Sequence, residues 1–233
     1  MARIPNGEAR ASWRRSRRGP KRQIAWLLMG AGTYAAALAG AGPASAAGDP
    51  EAGRAIFADR ACARCHMPRG APPGSGPALE HLRRPQGEME LAGRLWNHVP
   101  GMFAALAEER VPWPGISATE MANLMAYLLA DASRDPKPDA AKGEVVLMRK
   151  GCLKCHRLAR EGGKVEPDLA EPRAEYESAV VWAAAMWTHS PAMAAMGARQ
   201  GIAYPRFADD EMGNLVGFLK QAAATRRPPP AAR

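Results

Sequence analysis

The chain has no cysteine to spare. Four occur in 233 residues, and all four fall in two copies of one pentapeptide, so none is left for a disulfide framework. No stretch alternates apolar and polar residues over a useful strand length, which argues against a sheet-built fold. Beyond residue 46 there is no compact basic patch with interleaved aromatics, so the high pI does not point to nucleic acid. The surplus charge is local: residues 1–46 hold eight of the 32 Lys and Arg but one of the 23 Asp and Glu, and without them the formal charge falls from +9 to +2.

The two pentapeptides are Cys62-Ala63-Arg64-Cys65-His66 and Cys152-Leu153-Lys154-Cys155-His156. Both read C-x-x-C-H, the attachment signature for c-type haem. On a helical turn the two cysteines lie on one side, so each thiol can add to one vinyl group of a single haem. The histidine that follows then lies under the iron as proximal ligand. The motifs therefore mark Cys62, Cys65, His66, Cys152, Cys155 and His156 as cofactor-binding residues for two covalently attached haem c groups, with His66 and His156 on the metal. The alternatives are a disulfide, a thioredoxin-like redox pair or half of a zinc site. A zinc site would join the two units, yet ninety residues separate them, and a redox pair does not need the histidine twice.

Residues 1–46 read as an export signal. A basic segment (Arg14, Arg15, Arg17, Arg18, Lys21, Arg22) leads into an apolar run from Ile24 to about Ala41, followed by Pro43-Ala44-Ser45-Ala46, a cleavage site of the small-residue type. An uncleaved membrane anchor is the alternative, because the run is nearly long enough to span a bilayer. The Gly- and Ala-rich run and the cleavage pattern favour removal. A Sec-type route to the periplasm is expected despite Arg17-Arg18, since the twin-arginine route carries folded proteins and this one gains its haem outside the cytoplasm.

The rest of the chain is an internal repeat. At an offset of 90, Gly53, Cys62, Cys65, His66, Pro77 and Leu79 fall on Gly143, Cys152, Cys155, His156, Pro167 and Leu169. At an offset of 91, Trp96, His98, Pro100, Met102, Pro114, Glu120, Met121, Asn123, Leu124 and Leu128 fall on their counterparts from Trp187 to Leu219. The expected division is a signal over 1–46, a domain over 47–131, a linker over 132–140, a domain over 141–224 and an unstructured Pro/Arg tail over 225–233.

Each copy carries the same helical plan. A first helix, about Pro50–Arg60 or Ala141–Lys150, runs into the motif. A loop rich in breakers follows, over 70–77 or 161–167. A middle helix comes next, about Glu88–Trp96 or Glu175–Trp187, after which Pro100 or Pro191 is expected to open a further segment. The last helix starts from a Ser117/Glu120 capping box in the first copy and from Asp209 in the second.

With its G-x-G-P-x-L-like loop and a last helix carrying Tyr127 or Phe218, each copy resembles the class I cytochrome c fold, and the pair resembles dihaem cytochromes of the c4 type over about residues 48–224. The resemblance implies an all-α protein of two tandem domains, each a few helices around one covalent haem. It implies a periplasmic carrier that exchanges electrons with a redox donor and acceptor, without nucleic acid, and with a membrane only if the signal stays uncleaved. Oligomeric state is left open. Class I domains usually place a methionine ligand just before the last helix, but here that place holds Val111-Pro112-Trp113-Pro114 and Ile202-Ala203-Tyr204-Pro205. The repeat instead keeps W-x-H-x-P-x-M in both copies, from Trp96 to Met102 and from Trp187 to Met193.

A histidine and a methionine four apart share a helix face, and either can meet the iron. The class I pattern favours Met102 and Met193, with His98 and His189 as alternative distal ligands that would otherwise hydrogen-bond a propionate or the backbone. Trp96 and Trp187 are expected against the porphyrin edge or in the core. If both irons are six-coordinate, no catalytic residue is needed and the protein is no enzyme. The alternative is a haem enzyme or oxidoreductase subunit, of peroxidase or thiosulfate-oxidising type, with one open haem. The identity of the candidate ligands in the two copies argues against it.

Overall fold

Each half begins with a helix capped by an aspartate. The computed structural model describes residues 48–72 and 74–226; the expected signal and the tail from residue 227 lie outside them. In α1 (Pro50–Asp59), the Asp49 carboxylate accepts from the amides of Glu51 and Ala52, and Pro50 occupies the position where a missing N–H costs nothing. In its repeat, α6 (Ala140–Arg149), Asp139 caps Ala141 and Lys142 in the same way. The backbone N–H of each capping aspartate donates to an asparagine of the half's last helix, Asp49 to Asn123 Oδ1 at 2.9 Å and Asp139 to Asn214 Oδ1 at 2.8 Å.

Those last helices are α5 (Ala118–Tyr127) and α8 (Glu211–Arg226), which pack across α1 and α6 respectively. The crossing is so close that a Cβ on Gly53 would lie 2.0 Å from the carbonyl oxygen of Asn123, and one on Gly143 2.0 Å from that of Asn214. Glycine is kept here for close approach of two backbones. The Ser117/Glu120 capping box forms as the sequence suggests, and Arg60 reaches the same Glu120 carboxylate.

Between these pairs run the short helices α2 (Cys62–Cys65) and α3 (Leu79–Leu82) in the first half, and in both halves a long helix, α4 (Glu88–Glu108) or α7 (Ala179–Arg199). The expected break at proline does not occur. Pro100 and Pro191 each sit inside one continuous helix of 21 residues. A proline in a helix leaves the carbonyl four residues earlier without its N–H partner. Here Tyr204 Oη donates to the Trp96 carbonyl at 3.3 Å and Trp113 Nε1 to the Trp187 carbonyl at 3.2 Å, so both orphans are satisfied from the opposite half.

Other boundaries shift for local reasons. The start of the expected middle helix, from Glu175, falls in a 3-10 turn, Ala174–Glu177, and α7 starts after it. Asp209 stands two residues ahead of α8 with φ 43° and is not its first flanking residue. A two-residue hairpin, β1 (Arg157–Leu158) with β2 (Glu161–Gly162), occupies part of the loop expected to be irregular. The segment expected as a linker contains a 3-10 turn at Ala132–Arg134, and its Asp135 carboxylate accepts from the Met89 amide at 3.0 Å, capping α4.

The helix α8 continues through Thr225 to Arg226, where an unstructured tail was expected. Arg226 Nη1 donates at 3.0 Å to Asp168, which is 4% exposed and also accepts from the amides of Ala159, Arg160 and Ala170. Burial works to raise the Asp168 pKa, but the three amides and the guanidinium outweigh it and hold the carboxyl below its ordinary range. Among the described residues no helix is long and apolar enough to cross a membrane.

Two outcomes are expected. Gly53→Ala forces apart two backbones and lowers stability by roughly 1–3 kcal/mol, the usual range for overpacking, read as a fall in the denaturation midpoint of the holoprotein. Asp168→Ala destabilises the protein at neutral pH, and the difference from wild type shrinks on acidification. A carboxylate with a depressed folded-state pKa contributes stability above its unfolded value of about 3.9 and loses it as pH falls below that. Denaturation curves from pH 7 down to pH 3 distinguish this from a pH-independent packing loss.

Candidate haem sites

The two C-x-x-C-H motifs enter through the same backbone device. The residue before each first cysteine is left-handed, Ala61 at φ 65° and Gly151 at φ 72°, which turns the chain from α1 or α6 into the tight turn that carries the thiols. That turn is α2 in the first half and a 3-10 turn, Cys152–Lys154, in the second. No disulfide joins any of the four cysteines, and burial pushes the Cys62 and Cys152 thiols up to about 11. Among the described residues no three His, Cys, Asp or Glu side chains converge as a metal-binding group.

The histidine of each motif is oriented by the breaker-rich loop. His66 Nδ1 lies 3.0 Å from the Pro77 carbonyl oxygen, and His156 Nδ1 lies 3.1 Å from that of Pro167. A carbonyl only accepts, so Nδ1 carries the proton in both rings and Nε2 keeps a free lone pair. That is the tautomer a metal-bound histidine needs, with the second nitrogen tied to an outer partner. In the first half Phe57 packs 6.5 Å from the His66 ring and closes off the buried side.

Each motif opens on an apolar cavity. The second-half cavity, about 300 Å³, is bordered by Cys152, Cys155, His156, His189 and Met193. The first half has adjoining cavities of about 360 and 60 Å³, both bordered by Cys62, His66, His98 and Met102. Two thiols, a metal-ready imidazole and an apolar cleft in each half fit a covalently held haem.

Both members of the distal pair therefore reach the cavity side in each half, but their settings differ. His98 is exposed and its Nδ1 lies 2.7 Å from the Arg94 carbonyl of its own helix, while Met102 beside it is half-buried. His189 is half-buried, its ring centroid 6.2 Å from that of His156, and its Nε2 is buried without a hydrogen-bond partner.

The tryptophans cross over. Trp187 borders both first-half cavities and Trp96 borders the second-half one. Each is 5% exposed. Trp96 Nε1 donates to the Pro205 carbonyl at 2.7 Å and stacks on Tyr204 at 5.1 Å; Trp187 Nε1 donates to the Pro114 carbonyl at 2.7 Å and stacks on Trp113 at 4.3 Å. The stretch that resembles the methionine-bearing loop of class I domains thus serves the contact between halves. The repeat sets Trp113 opposite Tyr204 and Pro114 opposite Pro205, an aromatic-proline pair in each copy, but nothing local in the sequence shows that these pairs join the halves.

No curated protein and no solved structure matches the chain. The family model described as Cytochrome c matches it twice, over residues 50–130 and 140–223. Those two matches cover most of the chain, and each contains one C-x-x-C-H motif with its tied histidine and its cavity. Haem-based electron transfer is the activity that such domains indicate, and two of them imply two covalent haems. The chain belongs to the cytochrome c family, as two all-α cytochrome c domains in tandem.

Proposed function

We propose that this protein is an exported dihaem carrier that passes electrons, one per haem, between a redox-protein donor and acceptor outside the cytoplasmic membrane. The export signature in residues 1–46 supports the location. When bound, the haem iron supplies the one-electron chemistry, and the chain supplies attachment, orientation and a medium of low polarity. Cys62 and Cys65, or Cys152 and Cys155, hold the group to the chain. The carbonyls of Pro77 and Pro167 keep the proximal rings from rotating. Apolar side chains around each cavity exclude water.

The observation that carries the reading is the crossed placement of Trp96 and Trp187. Each borders the cavity of the other half, so both sites abut one shared interface rather than lying at opposite ends of the molecule. Two sites that share an interface suit exchange of electrons between haems. Met102 and Met193 remain the ligands that the class I pattern favours on the distal side.

The test is a haem count with a redox titration. Pyridine haemochrome assay is expected to give two haems per wild-type chain and one in Cys62→Ala or Cys152→Ala. The titration is expected to consume two electrons in all. A single haem in wild type would falsify the dihaem reading, and carbon monoxide binding with peroxidase turnover in the wild-type protein would replace the carrier by a haem enzyme. Trp187→Ala is expected to keep both haems but to shift the absorbance and midpoint of the first one. It should also cost roughly 3–5 kcal/mol of stability, as large-to-small changes at buried tryptophan do, measured by guanidinium denaturation.

A further inference from the structure

The two halves differ where the repeat says they should agree. In the second half the imidazoles of His156 and His189 both border the cavity, with ring centroids 6.2 Å apart and planes inclined at 62°. The proximal ring offers Nε2, because Nδ1 is committed to the Pro167 carbonyl. On the opposite ring, Nε2 is buried and has no partner. A buried imidazole nitrogen without a hydrogen bond costs free energy, and a native structure keeps one only for a reason such as a metal. Two imidazoles bound on opposite sides of one metal ion, at metal-nitrogen distances of about 2 Å, place their ring centroids about 6 Å apart. The observed separation matches that requirement.

The first half does not repeat this arrangement. His98 is exposed and its Nδ1 is satisfied by its own helix. The neighbouring sequence differs at one point on this face: Arg94, one helical turn before His98 and bordering the first-half cavity, is replaced by the small Ala185 before His189 in the second.

We propose that His189, rather than Met193, is the sixth ligand of the second haem, which is thereby held between two histidines. This deepens the dihaem-carrier reading and rests on it. A second imidazole gives a lower potential than a thioether would, so the second haem is more reducing than it would be with methionine. Met193, one helical turn further on and also bordering the cavity, would then serve as an apolar side chain of the site.

The experiment uses the full-length holoprotein and near-infrared magnetic circular dichroism of the oxidised state, which separates thioether-bound from bis-imidazole iron. Wild type is expected to show at most one thioether-ligated haem per two haems, with bis-imidazole intensity for the other. Two thioether haems overturn the proposal. Met193→Ala is expected to leave the bis-imidazole signal in place. His189→Met is expected to abolish that signal, add one thioether haem and raise one midpoint potential, with the haem count still two. Loss of a thioether signal in Met193→Ala, or an unmoved spectrum in His189→Met, also overturns it. A wild-type haem count below two defeats the dihaem reading itself, a result the pyridine assay reports independently of ligand identity.

Discussion

Two carbonyl oxygens hold this molecule's architecture together. Pro100 and Pro191 sit in the middle of the two long helices and leave the carbonyls of Trp96 and Trp187 without helical partners. An unpaired buried carbonyl costs on the order of 1–3 kcal/mol, and neither half supplies the missing donor from within. The donors are Tyr204 and Trp113, each from the opposite half. The same aromatic rings stack on the same tryptophans, and the tryptophan N–H groups return hydrogen bonds to Pro205 and Pro114. Aromatic pairs add roughly 0.5–1.5 kcal/mol each beyond the area they bury. Docking of the halves follows from helix chemistry as much as from apolar area.

The features legible in the sequence are those that depend on short-range chemistry. C-x-x-C-H and the Ser117/Glu120 box can both be read from a few neighbouring residues. The repeat makes the motif more secure by showing it twice. The long helices escape a local reading because a proline's local effect is to end a helix, and the donors that rescue the two carbonyls lie 108 and 74 residues away in the chain. Arg226 reads as part of a loose tail for the same reason, since its partner Asp168 is 58 residues earlier. The small hairpin at Arg157–Gly162 is too short for any period to reveal.

The two faces of each haem site divide along the same line. The proximal face is local: a motif histidine and a proline carbonyl eleven residues later, with nearly equal distances in both halves. The distal face depends on how a long helix is rotated and on what lies beside it. Identical W-x-H-x-P-x-M spacing therefore leads to unlike settings for His98 and His189, and sequence symmetry overstated the symmetry of the sites. A repeat duplicates ligands more faithfully than it duplicates their surroundings.

The crossed contacts have the reciprocity of an isologous dimer, in which residue i meets j and j meets i: Trp96 with Tyr204 and Pro205, Trp187 with Trp113 and Pro114. Between separate chains, such a pairing dissolves on dilution and depends on how much of each partner is present. Within one chain the partner is supplied at an effective concentration on the order of millimolar for a short connection. The pairing of the two cavities therefore does not vary with how much protein the compartment holds.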